Sequence, residues 1–69
     1  VVNTQLLESR IEQSGKRKSY LAEKLGLSVQ SFRLKCINKY DFTMSQVNIL
    51  CKELGITSLT EKDAIFNAK

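Results

Sequence analysis

The sequence predicts an all-α fold, a compact domain of five short helices, and three observations carry that prediction. Proline is absent, so no position forbids a helix. Glycine occurs only at Gly15, Gly26 and Gly55, each just past a stretch of helix-forming residues, where a left-handed residue ends a helix. Apolar side chains recur at helical spacing and make up 42% of the chain, too many for a disordered segment.

The first helix is expected over 4–14, where Leu7 and Ile11 share a face and Gly15 follows. The second, 17–25, brings Leu21, Ala22 and Leu25 together and stops at Gly26. Ser28 is placed to cap the third, 29–37, with Leu27 and Phe32 at the positions of a hydrophobic staple. Thr43 opens the fourth, 44–54: Gln46 completes a capping box, Phe42 and Val47 a staple, and Val47, Leu50, Cys51 and Leu54 form the apolar face. Thr60 is read as the cap of the fifth, 61–67, with Asp63 at the box position, Leu59 and Ala64 as staple, and Glu61 and Asp63 suited to the positive end of the helix dipole. Ile65 and Phe66 then close the core, which in 69 residues lies near the lower size limit for one independently folding domain.

Composition narrows the function classes. There is no histidine, and the two cysteines, Cys36 and Cys51, cannot make a four-ligand zinc site. Imidazole acid–base chemistry, a nucleotide loop and paired carboxylates are all missing, so neither an enzyme nor a bound cofactor, metal or small-molecule substrate is expected. Both cysteines lie on or near apolar helix faces and read as buried, inert thiols. The sequence has no apolar run of membrane-spanning length and no signal-peptide pattern, and a reducing cytoplasm is the expected setting.

The net charge of +4 is unevenly placed. Residues 16–39 hold Lys16, Arg17, Lys18, Lys24, Arg33, Lys35 and Lys39 against Glu23 alone, while the rest of the chain is net acidic. A basic block within a folded domain points to a polyanion or to an acidic protein surface, and a plain solvated face is the alternative.

Between Tyr20 and Ser28 the run Y-L-A-E-K-L-G-L-S joins two short helices by a tight turn, Gly26 ending one and Ser28 starting the next. That spacing, over about 17–37, is the spacing of a helix-turn-helix. With a third helix of this length and a basic block, the chain resembles the Cro/repressor-type helix-turn-helix proteins of temperate bacteriophages from about Leu7 to Phe66. It is most similar to small regulators carrying K-x-x-N-x-x-x-F-T and then L-C-x-x-L-x-I, here Lys35 to Asn38, Phe42-Thr43 and Leu50 to Ile56. The resemblance implies a five-helix fold and phage gene regulation. Carried over by position, it implies Lys18 on a phosphate and Ser28, Val29, Gln30, Arg33 and Leu34 facing operator DNA. Arg33 suits guanine, Gln30 adenine and Val29 a thymine methyl. Lys16, Arg17, Lys18, Lys35 and Lys39 would add sequence-independent phosphate attraction.

Two departures redirect this expectation. The family's usual Glu-Asn-Gly after the reader helix is replaced by Cys36-Ile37-Asn38, in which Asn38 is the residue able to adopt the left-handed conformation. Projection of the third helix puts Val29, Arg33, Ile37, Gln30 and Leu34 within about a 140° arc. Three of the five are aliphatic. Base reading needs donors and acceptors, whereas this arc has the apolar centre and polar rim of a protein interface. Some temperate phages pair a CI-type repressor with a small Cro-like antirepressor, and the resemblance extends to that role. The expected contact is Val29, Arg33, Leu34, Ile37 and Tyr40 on a CI-type repressor, promoting the lytic state, with direct operator binding as the alternative. In a third reading Val29 and Ile37 tuck into the core and leave Leu34 as one exposed residue. Ile49, opposite the apolar face of its helix, is expected to be exposed.

Overall fold

A computed structural model describes residues 1–68 and contains five helices: α1 (Thr4–Ser14), α2 (Lys18–Lys24), α3 (Val29–Cys36), α4 (Met44–Leu54) and α5 (Leu59–Phe66). Helices α1 and α4 match the spans expected from the sequence, and α2 and α3 are slightly shorter. No strand occurs among the described residues. Helix α1 packs on α4 and α5, and α2 packs on α3 and α4, so that one core is shared by all five.

The caps follow side-chain chemistry. Asn3 accepts from the Leu6 amide, Ser28 from Ser31, and Thr43 from Gln46, whose side chain returns a bond to the Thr43 amide to complete the capping box. Arg17 stands before α2 with no side chain to cap it. Gly26 turns the chain between α2 and α3 at φ +72°, and Asn38 takes φ +68° after α3, the left-handed role foreseen for it. Asparagine adopts that region at less cost than other residues with a Cβ.

The start of α5 differs from expectation. Ser58, not Thr60, is the cap, its hydroxyl accepting from the Glu61 amide at 3.4 Å, and Thr60 lies inside the first turn. Both residues have capping chemistry. Ile56, buried in the core, fixes where the chain must turn, and Ser58 is the hydroxyl that falls at the opening. Leu59 is consequently exposed at the first helical position and makes no staple.

The core contains Leu7, Ile11, Leu21, Phe32, Leu50, Ile65 and their neighbours, with no buried polar or charged residue among the described ones. Phe42 stacks edge-to-face on Phe32 at 6.0 Å and on Phe66 at 6.1 Å, linking α3, the α3–α4 loop and α5. Val2 is also buried, and the Asn3 amide donates to the Ile65 carbonyl, so the N-terminal residues complete the core beside the last helix.

The cap assignment makes a direct prediction. Ser58→Ala should lower unfolding free energy in urea by about 1 kcal/mol, and Thr60→Ala should change it by less than about 0.5 kcal/mol.

Candidate functional site

Helices α2 and α3 are joined by the turn Leu25 to Ser28, and their packing turns one side of α3 to solvent. Phe32 and Cys36, four residues apart, are fully buried and anchor the other side. Gln30, Arg33 and Ile37 therefore stand exposed. Val29 packs partly against the core and Leu34 is half-buried. Ile37, the C-cap of α3, is 61% exposed, and Tyr40 in the following loop is 57% exposed. The reading in which both Val29 and Ile37 turn inward thus holds for Val29 alone. Ile37, not Leu34, is the apolar centre of the surface.

The basic residues divide into two groups. Lys16 donates to the Glu53 carbonyl at 2.6 Å and lies 3.4 Å from its carboxylate. There it satisfies an end carbonyl of α4, as cations near helix C-termini do. Lys35 donates to the Asp41 carbonyl and to Gln46 Oε1, at 2.9 and 3.0 Å, and so braces the α3–α4 loop against the capping box. Lys18 pairs with Glu8 at 2.8 Å, tying the start of α2 to α1 in a half-exposed bridge that an anion would have to break. Arg17, Arg33 and Lys39, by contrast, are exposed and form no ion pair among the described residues. Of the five lysines and arginines expected to attract phosphate, Arg17 and Lys39 are free to do so. Arg33 on α3 and Lys24 on α2 are two further exposed cations without an ion pair among the described residues.

Three features of this region had no clear signal in the sequence. Tyr20 on α2 has two ammonium groups within cation-π range, Lys16 at 5.7 Å and Lys24 at 5.4 Å from its ring. Hydrogen bonding with Glu53 raises the Tyr20 pKa and lowers that of the carboxylate, an effect Lys16 reinforces on Glu53. Asn38 forms two bonds to one residue: its Oδ1 accepts from the Val2 amide at 2.7 Å and its Nδ2 donates to the Val2 carbonyl at 2.9 Å. Thr4 Oγ1 donates to the Cys36 carbonyl at 2.7 Å. The N-terminal residues are thereby strapped to the end of α3. Only the left-handed preference of Asn38 hinted at a special role there.

Among the described residues, no helix is long and apolar enough to cross a membrane, and no cluster of three or more His, Cys, Asp or Glu side chains stands ready for a metal. Ile49 is exposed on α4, as its position opposite the apolar face requires. Comparison with protein-family models, with curated proteins and with solved structures finds no match to this chain.

Burial pushes the Cys36 thiol up to about 12, helped by the nearby Glu8, and raises the Cys51 thiol as well. Neither is a thiolate near neutral pH. At pH 8, iodoacetamide should leave both unlabelled in the folded protein and label both in denaturant, as read by mass spectrometry.

Proposed function

We propose that this chain is a Cro-like helix-turn-helix regulator of a phage genetic switch, acting in the host cytoplasm, which binds a CI-type repressor and stops it from holding its operator. The lytic state is thereby favoured. The observation that carries this reading is the chemistry of the exposed side of α3 and the loop after it. Ile37 and Tyr40 present apolar surface, with Gln30 and Arg33 beside them as a polar rim. A base-reading surface centred on an aliphatic side chain would find only a thymine methyl to meet it. A protein partner offers such a side chain a pocket.

The repressor's DNA-binding domain is the natural target, since covering it removes the operator contact directly. Ile37→Asp tests this. The change lies outside the core, so the circular-dichroism spectrum and melting temperature should be retained while capture of the CI-type repressor is lost. Retained capture by the folded variant would sink the assignment.

Operator binding by α3 itself is the second reading, favoured by the free cations Arg17, Arg33 and Lys39. In that case wild-type protein should bind an operator duplex in preference to a scrambled one, with affinity falling as salt rises. Arg33→Ala should then cost about 1–3 kcal/mol and relax base preference at one position. Equal, weak binding to both duplexes leaves the basic residues as a non-specific attractor and supports the repressor as target.

A further inference from the structure

Three cations of the basic block are held within the fold, and they are held differently. Lys16 has the Glu53 carbonyl as well as its carboxylate, and Lys35 has two neutral oxygens, the Asp41 carbonyl and the Gln46 side chain. Lys18 has one polar partner among the described residues, the Glu8 carboxylate at 2.8 Å. Both side chains of that pair are about one-third exposed, at 34% and 39%, so it faces solvent. A single charge thus decides whether Lys18 is available to an anion.

The pair stands beside the end of α3. Glu8 follows Thr4 by one turn of α1, and Thr4 donates to the Cys36 carbonyl, so this side of α1 runs along the last turn of α3. Besides burial, which dominates, Glu8 raises and Lys18 lowers the pKa of the Cys36 thiol, which puts both charges near the same turn. Arg17, exposed and without an ion pair among the described residues, precedes Lys18 in the chain. Without the Glu8 charge, two adjacent cations would stand free at the start of α2. With it, an arriving phosphate meets a neutral pair and has to displace a carboxylate.

We propose that Glu8 is a specificity-determining residue which, by occupying Lys18, lowers the affinity of this face for nucleic-acid phosphates and reserves it for a protein. The reservation for a protein rests on the regulatory reading above. The discrimination against phosphate rests on the bridge alone.

The test follows binding of wild type, Glu8→Gln, Lys18→Met and the double variant to a DNA duplex of unrelated sequence, by fluorescence anisotropy over a series of salt concentrations. Glutamine keeps the shape of the side chain and removes its charge. Glu8→Gln should bind about two- to fivefold more tightly at low salt, the strength of one half-exposed pair. The slope of log affinity against log salt should steepen by about 0.9, for one more phosphate neutralised. Glu8→Ala, a substitution suited to a helix, should steepen it equally. In the Lys18→Met background the loss of Glu8 should no longer steepen it, since the released ammonium is the cause. Glu12→Gln controls for net charge: Glu12 is exposed one turn further along α1 and forms no ion pair among the described residues. That variant should leave the slope unchanged. Capture of the CI-type repressor by Glu8→Gln should match that of wild type.

The outcomes separate cleanly. A slope unchanged in both Glu8 variants overturns the proposal. So does an equal change in Glu12→Gln, which would make net charge the cause, or a gain that persists without Lys18. Failure of wild type to capture the repressor sinks the regulatory reading, while the duplex titrations still decide the role of Glu8.

Discussion

Phe32 and Cys36 lie one helical turn apart on α3, both fully buried, and with the two anchored only one rotation of the helix remains available. Phe42 then closes over Phe32 edge-to-face and reaches Phe66, so the loop after α3 and the last helix are registered against the same ring. The orientation of Gln30, Arg33 and Ile37 toward solvent follows from that anchor. A domain of 69 residues has little core to spare. Displacing Phe32 would disturb the surface through the core, which is why the site is better probed at exposed Ile37.

The electrostatics show how a basic stretch is divided between structure and surface. Lys16 serves the end of α4, Lys35 ties the α3–α4 loop to its capping box, and Lys18 bridges to Glu8. These contacts hold α2, α3 and α4 in relation to one another. The cations of the block that are exposed and form no ion pair among the described residues are Arg17, Lys24, Arg33 and Lys39, a smaller set than the sequence count suggests.

The N-terminal residues connect these two themes. Val2 adds to the core, Asn3 caps α1 and bonds to Ile65, and Asn38 grips the Val2 backbone. One short segment thus closes the core and clasps the end of α3.

Much of the fold was legible in the chain because its signals are local. Caps at Ser28 and Thr43, the stops at Gly15, Gly26 and Gly55, and the apolar stripe of α4 each depend on residues within one or two turns. Of the arc projected on α3, Gln30, Arg33 and Ile37 are exposed, while Val29 and Leu34 are partly buried. Local chemistry could not choose between Ser58 and Thr60, both capable caps, since the choice was made by burial of Ile56. Nor could it separate Val29, which meets the core, from Ile37, which does not. Partners distant in sequence were also invisible: Lys16 finds Glu53 and Asn38 finds Val2 only after the chain has folded. The sequence by itself determined that five helices form and that Gln30 and Arg33 lie on the outward side of α3. Tertiary structure decided which cations stay free and which apolar groups share one surface, because long-range contacts are set by packing and not by spacing along the chain.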